Sequence, residues 1–168
     1  KQYEDIHPSC LIGGYKIDNE RIGKSPKHWR DKNFSSSINE EIYFVLCASL
    51  TGHPIAWSTQ QAGRIVHDIF PIKTHENDQL GFSSKENLEW HTEDAFHPLR
   101  GDYIALMCIR NPSHTPTMIA STTDIDLTLE EFKPLFKPIF KIRPDNSHLQ
   151  AGSYDPVHSK LSEAQEAM

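Results

Sequence analysis

The sequence predicts an α+β chain that is mainly β, a double-stranded β-helix (jelly roll) present only in part and flanked by helices. Three observations point there. Short runs rich in Val, Ile, Phe, Tyr and Thr recur from residue 55 onward; Gly, Pro, Asn and Asp punctuate them; and one amphipathic helical pattern precedes them. About six such runs can be placed, whereas a closed double sheet of this kind needs eight.

Residues 1–36 are rich in Pro, Gly and charge, with few periodic apolar positions, and read as an irregular N-terminal segment. Ser37 followed by Glu40 is a capping-box signature. Ile38, Ile42, Val45, Leu46 and Leu50 then recur at helical spacing until Gly52 closes the pattern. Strands are expected at 55–57, 64–70, 88–93, 102–110, 117–121 and 139–142. A short helix cut by Pro134 is expected over 128–136, and a polar, Ala- and Glu-rich helix over 156–167. The chain thus divides into the N-terminal segment 1–36, part of a jelly-roll domain over 37–149, and a polar tail over 150–168.

Composition narrows the function classes. Apolar residues make up 37% of 168, enough for the core of one domain. No run approaches the roughly 20 apolar residues of a membrane-spanning helix, and the N-terminus lacks the basic-then-apolar layout of a secretory leader. A formal charge of −6 argues against nucleic-acid partners and suits a small cationic ligand slightly better. Cys10, Cys47 and Cys108 form an odd set, two of them in apolar stretches. They read as reduced core thiols and a reducing, cytoplasmic location.

The chemistry concentrates in the stretch from Leu88 to Pro98, which contains His91-Thr92-Glu93. On an extended strand, residues i and i+2 share a face, so an imidazole and a carboxylate arrive side by side. Such a pair supplies two of the three ligands of a 2-His-1-carboxylate iron site. The triplet alone proves little, because ten His and 23 acidic residues in 168 positions produce about 1.4 His-x-acid matches by chance. Its setting carries more weight. Trp90 precedes it, Asp94 and Phe96 follow, and the apolar run 103–109 comes next. Asp94 is a candidate for orienting the metal ligands from behind. His97, before Pro98, reads as a loop residue, and Trp57 and Trp90 read as core. A cupin-type site would need more than one ligand His close together, and that cluster is missing.

Gly13-Gly14 with His28-Trp29-Arg30, the segment from Trp57 to Asp68, the segment from Trp90 to Pro98, and Leu106 to Pro112 together resemble one family. It is the clavaminate-synthase-like (TauD-type) branch of the Fe(II)/2-oxoglutarate-dependent oxygenases, and within it the arginine, enduracididine and asparagine β-hydroxylases. The likeness covers roughly residues 10–149. It implies hydroxylation of a free, arginine-like amino acid at carbon 3, with Fe(II) as cofactor and with 2-oxoglutarate and O2 as co-substrates. It implies His91 and Glu93 as metal ligands, Glu93 also approaching the substrate amino group. Thr117 would meet the 2-oxoglutarate carboxylate, while Gln60, Gln61, Leu80 and Gly81 would line the amino-acid pocket. An amide can donate to a carboxylate and accept from an ammonium, and Gly63 would permit the bend needed to aim the Gln pair.

One departure stands out. The family's third ligand, a distal His, and the Arg that pairs with 2-oxoglutarate normally lie well over a hundred residues downstream, and only 77 residues follow His91. His114, His148 and His158 follow the motif without a fitting His-to-Arg spacing, and His148 sits in a segment resembling a part of the family that does not bind metal. The expectation is therefore the N-terminal part of a hydroxylase, weakly active or inactive in isolation. The alternative is a truncated, non-catalytic remnant serving as a binding or assembly module.

Overall fold

The computed structural model describes residues 7, 9–31, 36–72, 88–144 and 148. Two units are distinguished: one comprises the described parts of Lys1–Ile17 with Cys108–Phe140, the other Asp18–Met107 with the described parts of Lys141–Met168. The expected helix over 156–167, like Leu80 and Gly81, lies outside the described residues.

In the second unit, helix α1 spans Asn19–Ile22. The Asp18 carboxylate caps it by accepting from the Arg21 N–H at 3.0 Å. Gly23 ends it at φ 72°, a left-handed conformation that glycine adopts without a Cβ penalty.

Helix α2 spans Ile38–Ala48. Ser37 precedes it as expected, yet the predicted capping box does not form. Ser37 Oγ donates to Glu41 Oε1 at 3.0 Å. Glu40, its side chain only 2% exposed, instead receives Arg21 Nη2 at 2.5 Å. A carboxylate taken out of water needs a cation more than it needs a local amide, so the long-range pair wins. The helix also stops short of Gly52. Ser49 Oγ and Thr51 Oγ1 donate to the carbonyls of Val45 and Ala48, satisfying terminal acceptors that another helical turn would have used.

The apolar stripe of α2 faces the opposite way from the expected one. Ile38, Ile42 and Leu46 are exposed. Among the described residues Ile72, 3% exposed, is the buried hydrophobic; the other buried side chains are polar: Ser37, Glu40, Thr59, His97 and His148.

No strand forms among the described residues, although the β-rich segments were expected to make a sheet. High β-propensity prepares a segment for a ladder but cannot replace the partner that accepts its hydrogen bonds, and these segments find none among the described residues. Cys10 and Cys108 are exposed and Cys47 half-buried, all three as free thiols, so the expected core placement does not hold. Among the described residues no helix is long and apolar enough to cross a membrane.

In the first unit, helix α3 (Leu129–Phe132) carries a true capping box between Thr128 and Glu131. A 3-10 turn at Lys133–Phe136 follows, where Pro134 ends the α-helical pattern as expected.

Candidate metal centre

His91 Nε2 and Glu93 Oε1 lie 3.4 Å apart, on side chains 46% and 54% exposed. His91 Nδ1 is 2.6 Å from the Glu89 carbonyl oxygen. A carbonyl only accepts, so Nδ1 carries a proton, and in the neutral ring the lone pair sits on Nε2, the nitrogen facing Glu93. Two ligand atoms each about 2.1 Å from a shared ion and at right angles are roughly 3 Å apart. The pair needs only a slight closure to grip a divalent metal, and imidazole plus carboxylate is a donor set that iron accepts. Among the described residues no group of three or more His, Cys, Asp or Glu side chains could hold a metal.

The pair stands on irregular backbone rather than a strand, with Glu93 opening a turn. Asp94, directly after Glu93, has φ 49°, and its carbonyl accepts the His97 N–H at 2.9 Å. Its carboxylate is held from two directions: Trp57 Nε1–H donates to Oδ2 at 2.6 Å, and His148 Nε2 lies 3.3 Å from Oδ1. Burial pushes the Asp94 carboxyl up, but the neighbouring His148 imidazole and the hydrogen bond from Trp57 outweigh it and hold the group below its ordinary range. His97 is buried as a turn closer. Its Nδ1 accepts the Leu99 N–H at 3.0 Å, and its ring meets Trp57 edge-on at 4.6 Å. Trp57 is half-buried in this cluster, whereas Trp90, expected in the core, is exposed.

The Gln pair sits on a tight bend. Gln61, Ala62 and Gly63 have φ of 42°, 59° and 76°. Such a run is costly for the first two residues and easy for glycine. The bend is held by the Gln61 amide, which donates to the Asp68 carbonyl at 2.9 Å and accepts the Asp68 N–H at 3.0 Å. Arg64 adds bonds to Asp68 at 2.7 Å and Glu41 at 3.6 Å, linking the bend to α2. Gln60 is half-buried at the start of the turn. Gln61→Ala removes both bonds to Asp68 while keeping a left-handed residue. A loss of about 1–2 kcal/mol in urea unfolding is expected, and an unchanged midpoint would show that Arg64 alone holds the bend.

Thr117 is exposed and lies in the first unit, as does His114. The set of Thr59, Trp57, Asp94 and His148 was not visible as a unit in the sequence, because Thr59 and His148 alone are separated by 89 positions.

His67 makes a pH prediction. Burial lowers the affinity of its ring for a proton from the ordinary 6.5, against raising contributions from a hydrogen bond to the Arg64 backbone and from Asp94 and Asp68. Its Nε2 is buried with no hydrogen-bond partner among the described residues. Because the folded value is depressed, the unfolded chain takes up the proton first. Stability is full above about pH 6.5 and falls as pH drops through the folded value. In chemical unfolding at pH 7.5 and 5.5, His67→Gln should lose less stability than the wild type; equal losses would assign the acid sensitivity elsewhere.

Similarity searches place this geometry among known proteins. The chain is 50% identical over 157 residues to an L-ornithine/L-arginine 3-hydroxylase of Catenulispora acidiphila, covering 90% of the chain and 46% of that protein. It is 42% identical over 139 residues to an enduracididine beta-hydroxylase of Streptomyces hygroscopicus, covering 82% of the chain and 41% of the relative. The chain is a homologue of these amino-acid hydroxylases. Its backbone also matches the crystal structure of the non-heme iron oxygenase OrfP in complex with Fe, succinate and (3S)-hydroxy-L-Arg. That match has a TM-score of 0.76 and 41% identity, over 89% of this chain and 48% of OrfP. No family model matches. The homologue spans about half the length of the curated relatives it matches.

Proposed function

We propose that the protein carrying this chain is an Fe(II)/2-oxoglutarate-dependent oxygenase that hydroxylates a free, arginine-like amino acid at carbon 3. The observation that carries this reading is the convergence of His91 Nε2 on Glu93 Oε1 at 3.4 Å, with the other ring nitrogen tied to a backbone carbonyl. The OrfP complex adds chemical support, since succinate is 2-oxoglutarate that has lost carbon dioxide and gained one oxygen atom, and hydroxyarginine is arginine plus one oxygen atom, which together account for one O2. When bound, the iron would supply O2 activation coupled to decarboxylation of 2-oxoglutarate. His91 and Glu93 would hold the metal, and the second Glu93 oxygen would steer the substrate ammonium. Half-exposed ligands suit this task, because co-substrate and amino acid must both reach the metal.

Asp94 would fix the turn beneath the ligands. Gln60, with Leu80 and Gly81, would line the amino-acid pocket; Gln61, its amide engaged by Asp68, would shape the bend that presents Gln60. Thr117 would meet the 2-oxoglutarate carboxylate. The third ligand and the Arg clamp for 2-oxoglutarate would come from outside the described residues, in the jelly roll that the complete enzyme would form. The 168-residue chain by itself is therefore expected to turn over poorly. The test is to supply the intact protein with Fe(II), 2-oxoglutarate and L-arginine under air. Succinate and an arginine product heavier by one oxygen, in equal amounts, support the reading; succinate without oxygenated product across ornithine, arginine and lysine would overturn it.

A further inference from the structure

We infer that His148 is a positioning residue for the His91–Glu93 pair, acting through Asp94, an assignment that rests on the proposed metal site. The side chain of His148 is 1% exposed and that of Asp94 18%, although 54 positions separate the two residues. His148 Nε2 lies 3.3 Å from Asp94 Oδ1, an ion-pair contact outside hydrogen-bond geometry, and its opposite nitrogen, Nδ1, is 2.8 Å from the Thr59 hydroxyl oxygen. Trp57 Nε1–H donates to the other Asp94 oxygen. Thr59, His148, Asp94 and Trp57 thus form one chain of polar contacts.

Packing fixes the imidazole as well. Phe96 meets it edge-on at 4.9 Å and Trp57 at 6.0 Å. The consequence falls on the neighbouring residue. Asp94 is held at φ 49°, a backbone region that an L side chain rarely adopts, and that rotation sets how the chain leaves Glu93. The two ligands are themselves half-exposed, at 46% and 54%. A rigid support directly behind the pair is what a half-exposed metal site needs, since ligands left free to rotate bind more weakly. The contact from His148 is the looser of the two to Asp94, 3.3 Å against the 2.6 Å hydrogen bond from Trp57, so its removal should shift Asp94 without freeing it.

The test uses Co(II) as the probe in the intact protein, read by its visible absorption spectrum and by titration, with thermal unfolding in parallel. His148→Leu is expected to weaken Co(II) binding roughly 10- to 100-fold and to alter the spectrum. His148→Gln, which keeps a donor toward Asp94, should recover part of the affinity. Thr59→Val, a milder change at the far end of the chain, should weaken binding a few-fold and covers the case in which His148→Leu does not fold. Unchanged affinity and spectrum in a folded His148→Leu, with only a lower melting temperature, would overturn the inference and make His148 purely structural. Wild-type protein that binds Co(II) no better than His91→Ala would overturn the metal site itself, which separates the two failures.

Discussion

His91→Ala is expected to lower Fe(II) affinity in the intact protein by more than about 100-fold, equivalent to roughly 2.7 kcal/mol, with hydroxylation lost in parallel. The magnitude follows from removing a direct ligand, since outer partners alone change affinity by about 10- to 100-fold. Stability should hardly move. The side chain is 46% exposed, and the Glu89 carbonyl that faces it can turn to water. Glu93→Gln should act in the same direction, because an amide oxygen is a poorer ligand than a carboxylate and carries no charge to offset the metal's. Isothermal titration with Fe(II) under anaerobic conditions checks both. Wild-type affinity in either variant would mean that the 3.4 Å approach is an ordinary ion pair on the surface.

Arg21→Ala is expected to cost about 3 kcal/mol of folding stability, a fall of roughly 10 °C in melting temperature. Glu40 is a fully buried carboxylate, and Arg21 is its cation. Arg21 also donates to the Ser36 carbonyl at 2.7 Å and takes part in the cap of α1, so it ties that short helix to the start of α2. Its 32% exposure keeps the expected cost near the lower end of the range for broken buried pairs. Removing both charges together, as Arg21→Met with Glu40→Leu, should restore most of the loss, because the penalty is the unpaired carboxylate rather than the missing attraction. A single variant as stable as the wild type would show that water reaches Glu40. Metal affinity should be unchanged in all of these variants, since the pair lies outside the candidate centre.

The local chemistry was legible wherever adjacent residues decide it. His91 and Glu93 stand side by side as expected, although the backbone there is irregular, with Glu93 opening a turn, instead of a strand. The stop at Pro134 was equally plain, because it depends on residues within one helical turn. The capping-box signature at Ser37 misled, because Glu40 answered to an arginine 19 positions away. The expected sheet was not legible in this way, since ladder partners are set by the whole fold and the homologue spans about half the length of its relatives. His148 shows the limit most clearly. Its sequence neighbourhood marked it only as a poor ligand candidate, and its buried place against Asp94 and Thr59 depends on contacts 54 and 89 positions away.

The measurement that tests the central claim most directly is a crystal structure of the intact protein soaked anaerobically with Fe(II), with the metal located by its anomalous scattering. The account predicts one iron peak within bonding distance of both His91 Nε2 and a Glu93 carboxylate oxygen, with Nδ1 still on the Glu89 carbonyl and Asp94 still between Trp57 and His148. Iron bound elsewhere, with His91 and Glu93 contacting only each other, would contradict it.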